Sequence, residues 1–279
     1  MSPTYELSLA FIGGGNMASA LGAGLIGKRC GASDVHVVDI DPGTLDRWSA
    51  QGVSTASVPD ARLGDSKVWI FAVKPQVMKE TVAACRPFLS PDTLVISIAA
   101  GIDGTTLSRW LGSNHKPFTR VVRCMPNTPS LVKAGISGLL ALDGVSPEDR
   151  GVAQQLLKAV GEVVWVDTDA QIDAVTALSG SGPAYVFLFI ESLIAGGEKL
   201  GLTAEQSRAL ALATLNGATQ LASLSPESPA TLRERVTSKG GTTAAALEVF
   251  QQHGFEALVH EAMQAAYNRA SELAKEFSK

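Results

Sequence analysis

At 279 residues, 46% hydrophobic and 18% charged, the chain can bury a full core and has the length of two domains. A formal net charge of -4 and a pI near 5.6 leave no basic stripe for a phosphate backbone, so nucleic acid is not an expected partner. MSPTYELSLAFIGGG lacks the basic start and apolar run of a secretion signal, and Cys30, Cys85 and Cys124 sit in no CxxC pair, which favours free thiols in a reducing cytoplasm.

Leu7 to Gly13 is a short apolar run, after which Met17, Leu21 and Leu25 recur every four residues, so the period changes from strand to helix at the glycines. Val35 to Asp39 reads as the second strand, and Pro42 opens a helix that closes before Gly52. Val68 to Val73, Leu94 to Ile98 and Val121 to Arg123 follow as strands. This alternation predicts an α/β domain over residues 1–168, a parallel sheet with helices on both faces. Ile136 to Leu142 and Val163 to Val166 add strands to one edge, separated by a helix from Pro147 to Val160.

Over residues 169–279 the strand signals stop and an all-α domain is predicted, with helices at Tyr185 to Lys199, Ala204 to Ser223, Leu232 to Val236, Ala244 to His253 and Phe255 to Lys275. The Tyr185 helix carries Val186, Phe187, Leu188, Phe189, Ile190, Leu193 and Ile194 on nearly all sides. So few helices do not easily enclose it, which predicts burial against a second subunit, a homodimer. Its most apolar stretch, Ala184 to Gly197, is broken by Glu191 and falls short of the roughly 18 residues of a membrane span, so no membrane contact is expected. His36, His115, His253 and His260 have no metal-binding spacing, and no metal is expected.

Chemistry concentrates at two places. FIGGGNMA, Phe11 to Ala18, contains GxGxxA: Gly13 makes a tight turn, Gly15 leaves room for a pyrophosphate, and Ala18 lets helix and strand approach. This makes the first domain a dinucleotide-binding, Rossmann-like one. Ile12, Gly14, Asn16 and Met17 complete the loop, while Ala72, Val73, Lys74 and Pro75, with Ala99, Ala100 and Gly101, end later strands on the same rim. Asp39 can accept from a ribose 2′-OH, and together with Asp41 it argues for NADH over NADPH. Asn127, between Pro126 and Pro129, can meet the nicotinamide or only satisfy backbone groups. Near the other end, Gly240, Gly241, Thr242 and Thr243 open a helix, a place suited to a small carboxylate. A dinucleotide and a small acid together suggest a reductase.

These motifs, with LVISIAAG at Leu94 to Gly101, RCMPNTP at Arg123 to Pro129, LSGSGPAY at Leu178 to Tyr185 and VTSKGGTT at Val236 to Thr243, resemble pyrroline-5-carboxylate reductases in the same order, from about Leu9 to Leu273. The resemblance implies hydride transfer from NADPH or NADH to the C=N bond of Δ1-pyrroline-5-carboxylate, giving L-proline in the last step of proline biosynthesis. It also implies an interlocked helical homodimer, in some members part of a ring of dimers. By the same resemblance Ser179, Val236, Gly240, Gly241, Thr242 and Thr243 bind substrate, with the N–H groups of Gly241, Thr242 and Thr243 converging on its carboxylate. The Thr243 hydroxyl reaches the ring nitrogen, and Ser181 joins Thr243 as a catalytic residue. Ser179 and Ser181 can also be read as caps before Pro183 at the next helix. The chain departs from the family at Lys239, where a proline usually precedes the two glycines. A β-hydroxyacid dehydrogenase with Lys199 as its acid or base, or a nucleotide sensor without a carboxylate loop, would share the first half.

Overall fold

The computed structural model describes residues 7–277, which form two compact units. The first runs to Ser181 and takes up Ala266 onward, and the second is Gly182–Ala265.

The strands of the first unit are β1 (Leu9–Ile12), β2 (Val35–Val38), β3 (Ser54–Ala56), β4 (Val68–Phe71), β5 (Leu94–Ser97), β6 (Val121–Met125), β7 (Gly135–Ala141) and β8 (Gly161–Trp165). They form one sheet in the order β3-β2-β1-β4-β5-β6-β7-β8. The first six run parallel, with Phe11 opposite both Val37 and Ile70. Strand β7, whose direction the sequence pattern leaves open, runs antiparallel to β6 with Cys124 opposite Leu139. Residues 126–134 join those strands and are too few for a crossover helix, whereas α5 (Pro147–Lys158) carries the chain from β7 to a parallel β8.

β1 serves two cores. Leu9 and Phe11 face a cluster with Leu21, Leu25, Val37, Trp48 and Ile70, and Ala10 and Ile12 face another with Trp69, Phe71, Met78, Val82 and Leu107. Burial on both faces is why these strands read as continuous apolar runs, and each large aliphatic or phenylalanine side chain so buried contributes about 1.5–3 kcal/mol. The helix α1 (Asn16–Leu25) approaches the sheet through small residues. A Cβ on Gly22 would strike the Trp48 ring, and one on Gly24 the Ala159 carbonyl. Trp48, from α2 (Pro42–Ser49), stacks on Phe11 with ring centroids 5.6 Å apart.

The second unit holds α7 (Gly182–Lys199), α8 (Ala204–Leu224), α9 (Pro229–Arg235), α10 (Thr242–Gln252) and the first half of α11 (Phe255–Phe277). A capping box between Thr203 and Gln206 starts α8, and Ser228 accepts the Thr231 N–H to start α9. No residue of α7 is buried: Val186, Phe187 and Leu188 are 50%, 58% and 65% exposed. An open groove of about 690 Å³ in this unit is lined by Phe189, Leu247, Phe250 and Phe255. The sequence-based length of the apolar stretch is corrected here. The helical stretch Asp169–Lys199 counts 31 residues and is long and apolar enough, by length and composition, to cross a membrane.

Candidate active site

The parallel strands β1, β2, β4, β5 and β6 all end on one edge of the sheet, and the order 3-2-1-4-5-6 reverses direction between β1 and β4. Open α/β sheets bind nucleotides at such a switch point. The segments that leave this edge are Gly13 to Gly15, Asp39 to Asp41, Ala72 to Pro75, Ile98 to Gly101 and Pro126 to Asn127. The residues read from sequence as cofactor contacts, with Ile12 as the last of β1 and Asn16 and Met17 as the first of α1, therefore lie along one rim.

The three glycines of the loop differ in what requires them. Gly13 has φ 96°, and a Cβ there would lie 2.7 Å from the Ala72 carbonyl oxygen. A Cβ on Gly14 would fall 2.8 Å from both Trp48 Nε1 and Thr44 Cγ2. Gly15 is otherwise: its φ of -67° suits any residue, and a Cβ meets nothing within 4 Å. Neither a strained backbone angle nor close packing within the chain requires a glycine at 15. Gly15 also stands in the cap position of α1 with no side-chain cap, so the first N–H groups of that helix are left for an anion.

Two side chains fix the loop. Asp39 accepts the Gly14 N–H at 2.6 Å with one carboxylate oxygen and the Asp41 N–H at 2.9 Å with the other. The buried Trp48 donates from Nε1 to the Gly14 carbonyl at 2.9 Å. Trp48 belongs to no motif, and its role was invisible in the sequence. Asp41 caps α2, taking the Thr44 N–H at 2.8 Å and hydroxyl at 2.7 Å, and these bonds hold its carboxyl below the usual range. Arg47 donates to the same Thr44 hydroxyl at 2.8 Å, which brings a cation into the cluster. Elsewhere on the rim, Lys74 is exposed and Pro75 opens α3 (Pro75–Cys85). Asn127 Oδ1 accepts the Ile136 N–H at 2.9 Å, so the oxygen serves the backbone.

Ser179 lies in a π-type turn, Thr176–Gly180, and its hydroxyl donates back to the Val175 carbonyl at 3.0 Å instead of capping α7. The Ser181 N–H donates to the Thr176 carbonyl at 2.8 Å. Such turns recur at functional sites.

In the second unit, Ser238 to Gly241 form a β-turn closed by the Gly241 N–H on the Ser238 carbonyl at 3.0 Å. Positive φ falls on Gly240 alone, at 71°, which makes the turn type II. Lys239 holds the position where such turns favour proline. Gly241 caps α10 without a side chain, and its committed N–H corrects the expected donor set: the groups open at the helix mouth are the N–H of Thr242, Thr243 and Ala244. Val236, which ends α9, is exposed. The Lys239 N–H makes no backbone bond among the described residues, so Lys239→Pro is expected to stabilise the protein by about 0.4–1 kcal/mol through the unfolded chain. A thermal melt checks this, and a lower Tm would mean the turn is not of this type in solution.

The sequence pattern described as pyrroline-5-carboxylate reductase dimerisation matches residues 169–273, and that described as NADP oxidoreductase, coenzyme F420-dependent, matches residues 8–101. A pyrroline-5-carboxylate reductase of Pseudomonas aeruginosa is 47% identical over 96% of this chain and 97% of its own. The solved structure of a pyrroline-5-carboxylate reductase from Coxiella burnetii aligns with a TM-score of 0.88 at 38% identity, covering 97% of this chain and 99% of that one. The Plasmodium falciparum pyrroline carboxylate reductase with NADP bound aligns with a TM-score of 0.84 at 29% identity, covering 96% and 98%.

Proposed function

The chain belongs to the pyrroline-5-carboxylate reductase family, and on that footing we propose how its residues divide the work of reducing Δ1-pyrroline-5-carboxylate to L-proline. It is an NAD(P)H-dependent oxidoreductase of the last step of proline biosynthesis. The observation that carries the assignment of the cofactor site is Gly15, whose open side faces no part of the chain and leaves the N–H groups at the start of α1 accessible. Gly15 leaves space for the pyrophosphate, whose charge the N–H groups at the start of α1 receive. Asp39 takes the adenine ribose while holding the loop through Gly14. Ala72 to Pro75 and Ala99 to Ala100 wall the rim, and Asn127 offers its NH₂ to the nicotinamide.

When bound, the reduced nicotinamide supplies the hydride that the imine carbon accepts. The N–H groups of Thr242, Thr243 and Ala244 hold the substrate carboxylate, and Gly240 and Gly241 shape the turn that presents them. The Thr243 hydroxyl oxygen accepts the N–H of the protonated imine, with Ser181 as a second hydroxyl and Ser179 and Val236 as neighbours of the substrate. A protonated imine is already a good hydride acceptor, so holding both reactants in place suffices and no acid–base pair is needed. Supplying the imine with NADH and then NADPH, and following cofactor absorbance and proline, tests the assignment. No proline with either cofactor would sink it.

Thr243→Ala is expected to lower kcat/KM for the imine by about 1.5–3 kcal/mol, roughly ten- to a hundredfold, with NAD(P)H affinity kept. Unchanged kcat/KM would remove Thr243 from the reaction. The paired carboxylates of Asp39 and Asp41 disfavour a 2′-phosphate by about 1–4 kcal/mol at separations near 4 Å, so NADH is expected to be used appreciably. Asp39→Ser keeps a hydroxyl for the Gly14 N–H and is expected to raise the NADPH to NADH ratio of kcat/KM about tenfold, or ~1.4 kcal/mol. A hundredfold wild-type preference for NADPH, unaltered in the variant, would place Asp39 away from the ribose.

We assign residues 1–168 to the dinucleotide domain and residues 169–279 to a helical domain that forms a homodimer. The dimerisation pattern over 169–273 and the uncovered α7 support this. A partner copy, and not lipid, covers α7 on this reading, as in a cytoplasmic enzyme with three free thiols.

A further inference from the structure

The rim segment that leaves β5 is backed by a part of the chain far from it in sequence. Gly101 has φ 71°, and a Cβ on it would lie 2.8 Å from Leu273 Cβ and 3.5 Å from a ring carbon of Phe277. Ala270, Leu273, Ala274 and Phe277 recur on one face of α11, with Ala270 buried and the others half-buried. Phe277 packs on the core cluster that contains Ala99 and Ile102, so the residues flanking Ala100 and Gly101 share a core with the end of α11. On the same helix Ser271 donates to Asp173 Oδ2 at 2.9 Å, in α6 (Asp169–Val175), and Asp173 is only 7% exposed.

The far end of the segment is tied to α6 as well. Asp169 accepts the N–H of Gly104, the first residue of α4 (Gly104–Leu111), at 3.3 Å and pairs with the buried Arg123 of β6. The chain from Ala99 to Gly104 is thus held by α11 behind its middle and by Asp169 at its exit. The reduction itself does not call on Ser271, Leu273 or Phe277.

We propose that the C-terminal end of α11, through Leu273, Phe277 and Ser271, is the positioning element of the 99–101 rim and thereby sets the affinity for NAD(P)H. The inference rests on the assignment of that rim to the cofactor made above. A rim with its backing removed samples several backbone positions, and the dissociation constant rises in inverse proportion to the fraction that is competent.

Fluorescence titration of the full-length protein with NADPH and NADH at 25 °C tests it, comparing wild type with Leu273→Ala, Leu273→Met, Ser271→Ala and Leu156→Ala. Leu156 is buried in the other core cluster and controls for lost stability alone. Leu273→Ala is expected to weaken Kd about five- to twentyfold and Ser271→Ala about two- to fivefold, with Leu273→Met restoring the wild-type value. Leu156→Ala is expected to lower Tm and leave Kd unchanged. A Kd for Leu273→Ala within about twofold of wild type and of Leu156→Ala overturns the proposal. If Leu273→Ala does not fold, Ser271→Ala and Phe277→Leu decide by the same criterion. A wild type that binds no NAD(P)H, or makes no proline, would instead sink the functional assignment, so the two failures are distinct.

Discussion

Gly15→Val is expected to abolish NAD(P)H binding while the protein stays folded. The φ of -67° and ψ of -166° at Gly15 lie at the edge of the extended region, outside the left-handed range that needs glycine, and the space around its would-be Cβ is open. The two methyls would fill the room left for the pyrophosphate and separate it from the N–H groups of α1. A rise in Kd beyond a hundredfold is expected, above about 2.7 kcal/mol, against a loss of fold stability of about 1 kcal/mol from a poorer helix cap. Gly13→Val and Gly14→Val mark the contrast. Gly13 has a positive φ and abuts the Ala72 carbonyl, and Gly14 abuts Trp48 and Thr44, so both should lose Tm as well as binding. Titration of NADPH fluorescence beside circular dichroism separates the cases. Gly15→Val with wild-type affinity would end the glycine-loop assignment.

What could be read from the sequence was what a local period carries. β1, β4 and β5 are buried on both faces and appear as apolar runs, and GxGxxA sits where strand becomes helix. β3 escaped notice because Ser54–Ala56 is three half-buried residues at a sheet edge, too short to show alternation. The reversal at β7 depends on the shortness of the connection after Asn127, which tells direction only once β6 and β7 are known to be neighbours. Trp48 grips the Gly14 carbonyl from 34 residues away, and no spacing announces such a bond. The Gly241 N–H reads as a free donor in the sequence because glycine pairs at a helix mouth look alike until the turn closed on Ser238 is seen. The amphipathic pattern of α11 shows that one face is covered but not by what, so its return to the first unit was beyond reach.

Phe187→Glu is expected to take the assembly apart. α7 leaves Val186, Phe187, Leu188 and Leu193 uncovered, and it buries no residue within the chain. Soluble monomers seldom expose contiguous apolar patches beyond a few hundred Å². Aromatic side chains at the centre of such faces cost about 2 kcal/mol or more when truncated, and a carboxylate buried there without a partner adds several more. The dissociation constant should therefore rise at least about a hundredfold, some 2.7 kcal/mol. Sedimentation velocity at micromolar concentration should find wild type as a dimer or a multiple of one, and Phe187→Glu as a monomer or an aggregate. Val58→Glu controls for added surface charge, because Val58 is exposed to a similar degree in the first unit, and it should sediment as wild type. The glycine loop and its supports, Asp39 and Trp48, all lie in the first unit, so any soluble Phe187→Glu monomer should still bind NAD(P)H. A wild type that is a stable, active monomer at that concentration would show that α7 needs no second copy to cover it.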